Sequence, residues 1–222
     1  MTESGEQLFE RFCASLDLEH ERIAESTEQG EQRPDYRVVG SDGSRFVAEV
    51  KLVSPTAEEE REIARVHRGE ISSSGGTPGD RMRRWIGKAN QQLKALGDQV
   101  PGVLVVFNPE FLLRRHTDPY AILTAMRGLD TIDVYVPASP SEMPVFGDLR
   151  SGGGKKMTAL NNTSTSAVIC PEEVATGVWR TGVYHNRFAS RPLVMSSLQE
   201  ANVIHFRIAD DERDWTPMRA AV

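Results

Sequence analysis

Five consecutive apolar residues, Val103-Leu104-Val105-Val106-Phe107, narrow what this chain can fold into more than any other feature. The run has a strand's length and no polar position, so the strand it predicts is covered on both faces. Helical patterns flank it. Residues 80–96 carry Trp85, Ile86, Ala89 and Leu93 at core-facing spacing and are expected to end at Gly97. Residues 119–127 read as a helix stopped by Gly128. Residues 5–17 read as another, with Leu8, Phe9, Phe12, Cys13 and Leu16 on one stripe. Short strands are expected at 21–24, 167–170, 179–184 and 203–208, and a second buried strand at 132–136. Residues 57–68 could form a charged helix, and the glycine-rich stretches at 72–79 and 151–156 read as mobile loops. The expected fold class is α/β, a mixed sheet with helices on its faces. We expect a single domain over 1–222, with a core of about 5–137 and a β-rich extension of about 138–222.

The composition, 39% hydrophobic and 26% charged over 222 residues, is that of a globular chain. No apolar run approaches the roughly 18–20 residues that span a bilayer, so no membrane association is expected. The N-terminus is polar and acidic, unlike a signal peptide. Cys13 and Cys170 cannot form a disulfide framework and read as free thiols, which suggests a cytoplasmic setting. The net charge of −6 excludes a uniformly basic coat. Residues 1–32 hold 2 basic and 9 acidic side chains, whereas residues 61–100 hold 8 basic and 4 acidic. That locally basic segment is compatible with polyanion binding or with a solvated helix face.

Chemistry concentrates around a hairpin. Residues 35–39 and 45–53 read as strands joined by Gly40-Ser41-Asp42-Gly43-Ser44. Glu49 and Lys51 are two apart, so they leave the same face, while Phe46, Ala48, Val50 and Leu52 form an apolar reverse face. A three-residue loop at 41–43 pairs residues whose numbers sum to 84, which sets Asp35 opposite Glu49. A two-residue turn at Asp42-Gly43 would put Asp35 on the other face. Two carboxylates brought together this way repel, and a hard divalent cation between them turns repulsion into binding. An ammonium beside such a cation can orient a water and stabilise charge on a phosphate oxygen. A solvent-facing ion pair of Glu49 with Lys51 or Arg37 is the alternative.

Pro34-Asp35 followed, 13 residues after Asp35, by Glu49-Val50-Lys51 resembles the motif of the PD-(D/E)XK, or restriction-endonuclease-like, nucleases. The resemblance covers about half of the chain. It implies a core ordered helix, three strands, helix, strand, and a Mg²⁺-dependent endonuclease acting on DNA, with Mn²⁺ able to substitute. Asp35, Glu49 and the Val50 carbonyl would hold the metal, and Lys51 would position or activate the water. A glutamate on the first helix completes the site in relatives such as archaeal Holliday-junction resolvases, and Glu6 fits that role better than Glu10. The helix after the hairpin often supplies a glutamine or basic residue, for which Lys88, Gln91, Gln92 and Lys94 are candidates.

Arg81, Arg83, Arg84, Lys88, Gln91 and Lys94 are candidate DNA contacts on one helix. Lys155-Lys156 could clamp a backbone but reads better as an exposed loop. The five histidines show no zinc spacing, and His185 is the one nearest a strand end. Residues 54–80 leave directly after Lys51 and are expected to be a mobile element that orders over substrate. The rival function is a catalytically silent or partner-dependent nuclease-fold module, a DNA-binding or assembly subunit in a defence or repair complex. A homodimer is also expected, because cutting two strands with one site per chain needs two copies.

Overall fold

The computed structural model describes residues 3–24, 32–72, 75–95, 99–139, 141–209 and 214–218. Ser4 starts α1 (Gly5–Ser15) with a capping box: the Gln7 amide donates to the Ser4 hydroxyl at 3.2 Å, and the Ser4 amide to the Gln7 side chain at 2.8 Å. Leu8, Phe9, Phe12 and Cys13 turn inward, as their spacing predicts. β1 (Glu19–Arg22), β2 (Tyr36–Val39) and β3 (Arg45–Leu52) are antiparallel neighbours. After α2 (Ala57–His67) and α3 (Asp80–Ala95), β4 (Gly102–Phe107) returns parallel to β3. A 3₁₀ turn at Phe111–His116 and α4 (Pro119–Arg127) lead into β5 (Leu129–Tyr135) and β6 (Val145–Gly153). β7 (Thr165–Ala175), β8 (Val178–His185), a 3₁₀ turn at Met195–Leu198, β9 (Val203–Ile208) and β10 (Trp215–Pro217) follow.

Eight strands make one mixed sheet in the order β1-β2-β3-β4-β7-β8-β9-β10. β3, β4 and β7 are parallel at its centre, and every residue of β4 is buried. Helices cover both faces, which a parallel centre requires. Under α1, Phe9 and Phe12 meet Tyr36, Ala48, Val50, Val105 and Phe107. On the other face, Met82, Ile86, Ala89 and Leu93 of α3, with Ile122 and Met126 of α4, meet Val47, Leu104, Val106 and Val168. Burying each of the larger apolar side chains among these contributes roughly 1.5–3 kcal/mol. The chain is therefore α/β, with a large mixed sheet between helical layers. No helix among the described residues is long and apolar enough to cross a membrane.

Three expectations are corrected. Residues 132–136 do not form a buried strand: β5 pairs only with β6 in a separate two-stranded ribbon, and Ile132 and Val134 are exposed. The place beside β4 is taken by β7, whose residues 165–169 are all buried, whereas Asp133 interrupts the apolar pattern of β5. Residues 151–153, expected in a mobile loop, complete β6, and the chain just beyond is held by the Lys156 and Met157 amides donating to the Ala125 and Met126 carbonyls, both at 3.1 Å. The start of the 54–80 segment is not a loose flap either, because a buried ion cluster fixes α2, as described below. The helix end expected at Gly97 lies outside the described residues.

α3 and α4 meet where Gly79 (φ +73°) enters α3. A Cβ there would lie 2.3 Å from the Ala121 carbonyl oxygen and 2.9 Å from the Ala125 amide nitrogen, both backbone atoms of α4. Gly87, in the middle of α3, has nothing within 4 Å of its Cβ position. Gly79→Ala is expected to destabilise the chain by about 3 kcal/mol or more, and Gly87→Ala to stabilise it by about 0.5–1 kcal/mol. Urea midpoints of the two variants check both signs.

Candidate functional site

The hairpin adopts the register in which paired numbers sum to 84. Tyr36 faces Ala48 and Val38 faces Phe46, while the Gly40 amide donates to the Ser44 carbonyl at 2.7 Å. Gly43 occupies the left-handed position of the loop at φ +77°, where a Cβ would be strained. The ladder continues one step past β2, with the Asp35 amide donating to the Ala48 carbonyl at 3.0 Å. There the side chain takes over from the backbone: Asp35 Oδ2 accepts the Val50 amide at 2.7 Å. Pro34, which has no amide hydrogen, is buried just before it. Asp35 is thus held against β3 beside Glu49, and Lys51 Nζ forms an ion pair with Glu49 Oε1. The expected adjacency of Asp35, Glu49 and Lys51 is present.

Their surroundings differ from the expectation. The odd-numbered face of β3 is a second core under α3, with Val47 and Val53 buried beside Glu49. Glu49 has no exposed surface at all, so the solvent-facing ion pair is ruled out. The Lys51 side chain keeps 27% of its surface and connects the buried carboxylate to solvent. Glu49 Oε2 has no partner at hydrogen-bonding distance. A buried carboxylate oxygen left this way costs at least about 1–3 kcal/mol. Burial pushes the Glu49 carboxyl up to about 7; Asp35 adds repulsion, while Lys51 and Gln92 work against the rise. Burial likewise raises Asp35, against the Val50 amide and Lys51.

α1 brings Glu6 to the margin of this group, with Gly5 beside Val50 and Leu52. Glu6 accepts from Arg22 Nη2 at 2.6 Å, and both charges are felt at Asp35. Arg22, on the edge strand β1, escaped the sequence reading, because only the pairing of its strand with β2 brings it beside Asp35. Glu10 is held apart by the Tyr36 hydroxyl, which donates to it at 3.0 Å. From α3 it is Gln92, not Gln91, that faces Glu49: Gln92 also donates to the Arg33 carbonyl at 3.4 Å, while Gln91 is exposed.

The basic face of α3 divides. Arg84, Lys88, Gln91 and Lys94 are exposed, and Arg84 is held only loosely by Asp80 at 3.8 Å. Arg83 is corrected: it is buried and donates to the Thr124 carbonyl at 3.1 Å, so it braces α3 against α4. Arg81 donates to the Ser54 carbonyl at 3.1 Å and to Glu59 at 2.8 Å. Glu59 also binds the Thr56 amide at 2.8 Å, Arg115 at 3.0 Å and His116 at 2.6 Å, which locks α2, α3 and the 111–116 turn together. Burial opposes its charge, yet these partners hold its carboxyl down at about 2. His185 is spent on a half-buried hydrogen bond of 2.8 Å with His205.

Among the described residues, no group of three or more His, Cys, Asp or Glu side chains is arranged to hold a metal ion. The donor set at β3 is two carboxylates, one of them with a free oxygen buried beside its neighbour. That fits Mg²⁺, which takes one or two protein carboxylates and keeps its waters.

The Glu49 carboxyl titrates higher folded than unfolded, so its contribution favours folding at low pH and is lost as pH rises between its ordinary 4.5 and about 7. In chelator, Glu49→Gln is expected to be more stable than the wild type at alkaline pH by roughly 2–3 kcal/mol, with the gap closing towards pH ~4.5. Thermal unfolding across pH measures the gap; parallel wild-type and variant curves would contradict the buried, poorly compensated carboxylate.

No family model, curated protein or solved structure matches this chain.

Proposed function

We propose that the chain is a metal-dependent nuclease with a PD-(D/E)XK site, cleaving DNA phosphodiester bonds. The observation that carries this reading is the buried, unpartnered oxygen of Glu49, placed beside Asp35 and under Lys51 by the hairpin register. A sequence building only a core would place an apolar residue at 49, because a buried charge with an unsatisfied oxygen is costly. Supporting it is the order α1, β1–β3, α2, α3, β4, which is that of the restriction-endonuclease-like core with one helix, α2, added before α3.

Asp35 and Glu49 would hold Mg²⁺, with the Val50 carbonyl as the third oxygen; Mn²⁺ could substitute. When bound, the ion supplies positive charge that neutralises the phosphodiester and makes a water easier to deprotonate. The Val50 amide fixes the Asp35 carboxylate so that one oxygen stays available. Lys51, anchored on Glu49 but open to solvent, orients the attacking water and stabilises charge on the phosphate oxygen. Gln92 steadies the Glu49 carboxylate from α3. Glu6 and Arg22 balance one another beside Asp35, where Arg22, more than half exposed, would exchange Glu6 for a phosphate of the approaching strand. Arg84, Lys88, Gln91 and Lys94 would grip the backbone on the outer side of α3.

The complete burial of Glu49 favours a second reading, a nuclease-fold subunit that is silent alone and acts with a protein partner in a defence or repair complex. Plasmid nicking in Mg²⁺ or Mn²⁺ separates the two. Asp35→Ala, Glu49→Ala and Lys51→Ala are each expected to lose at least about 100-fold in rate, and a chelator to abolish cleavage. No cleavage by the wild type, with Mg²⁺ binding by calorimetry that Glu49→Ala removes, would select the partner-dependent subunit. Absence of both cleavage and metal binding would leave a silent scaffold.

A further inference from the structure

β5 and β6 leave the body at Gly128 and return at Gly153, pairing only with each other. From Asp130 to Arg150 every described residue except Pro137, Ser139 and Gly147 is exposed, so the ribbon projects into solvent. Cross-strand partners share a face, which sorts the side chains. Ile132 pairs with Leu149 and Val134 with Phe146 on one side, 46%, 54%, 46% and 65% exposed. The other side carries Thr131 opposite Arg150, the Asp133–Arg150 ion pair, and Tyr135 opposite Val145. One face of the ribbon is therefore apolar along its length, and among the described residues nothing buries it.

A two-stranded ribbon is marginal in water and becomes stable when a third strand or a cover joins it. Its edges are poor templates for another strand, because the register shifts at 129/131 and at 132/134 break the ladder. The face is what remains. A nucleic acid is a poor cover: residues 129–153 carry Asp130, Asp133, Glu142 and Asp148 against Arg150 alone. An uncharged apolar stripe is its own complement, since a two-fold axis lays it on the identical stripe with the Asp133–Arg150 pair on the outward side. With Val136 and Met143 beyond the strands, the face offers on the order of 500 Å² per copy, so a symmetric pair would bury about 1,000 Å², the lower end for specific association.

We propose that the apolar face of the β5–β6 ribbon packs on the same face of a second copy of the chain, giving a two-fold dimer with a four-stranded, two-layered junction. The dimer is expected to be weak, because its area lies at the lower end for specific association, and it stands independently of the nuclease reading.

Sedimentation velocity of the full chain from about 1 to about 100 µM tests it. The wild type is expected to shift from monomer to dimer over that range. Phe146→Asp and Leu149→Lys each place two like charges in a symmetric interface and are expected to weaken the dimer at least about 100-fold. Val145→Asp, on the opposite face and as exposed as Phe146, is expected to leave it unchanged. Circular dichroism should show all three folded, since the ribbon contributes nothing to either core. A wild type that stays monomeric throughout would overturn the proposal. So would Phe146→Asp and Leu149→Lys chains that dimerise like the wild type, or a Val145→Asp chain that is weakened as much as they are.

Discussion

The cover that α3 lays over Val47, Glu49 and Val53 is the constraint on which the rest of the molecule depends. β3, β4 and β7 are parallel and apolar, so both faces of the sheet centre must be dry. α1 seals one face with Phe9 and Phe12, and α3 seals the other with Met82, Ile86, Ala89 and Leu93. Once α3 is seated, whatever occupies position 49 is buried. A glutamate there brings a charge into the core, and the local arrangement of Asp35, Lys51 and Gln92 responds to that charge.

Two buried glutamates show how completely surroundings set chemistry. Glu59 has the Thr56 amide, Arg81, Arg115 and His116 about it, and its carboxyl is held near 2. It is structural, because every partner belongs to an element it fastens. Glu49 has Lys51 on one oxygen, Asp35 and Gln92 as neighbours and no partner at hydrogen-bonding distance on the other oxygen, and burial raises its carboxyl to about 7. A group poised near neutrality beside a second carboxylate is what the proposed nuclease site would use. The same helix serves both: Arg81 at its start completes the Glu59 cluster, and Gln92 near its end leans on Glu49.

The ribbon shows the opposite case, an element whose pattern outran its neighbours. Ile132 and Val134 alternate with Asp133, a half-buried pattern, and among the described residues nothing buries their apolar side. Its base is firm all the same. Gly128 and Gly152 approach so closely that a Cβ on Gly128 would sit 2.5 Å from the Gly152 carbonyl carbon, and α4 holds the returning strand by its last carbonyls. A rigid base with an uncovered face is the form of an interface.

What the sequence determined by itself was local. Periods of two and of three to four set the helices and strands, and Pro119 and Gly128 bounded α4 to the residue. Gly43 in its loop allowed the register that sets Asp35 by Glu49, and the two-residue spacing put Lys51 with Glu49. Only the tertiary structure decided what covers each face. Whether a polar face meets water or a helix, whether β5 or β7 lies beside β4, and whether Arg83 points outward or into α4 all depend on contacts between residues far apart in sequence. Gln91 and Gln92 differ by about 100° around one helix, so choosing between them needs the seating of α3 on the sheet. Periodicity states that a face must be buried; it carries no information about which surface buries it.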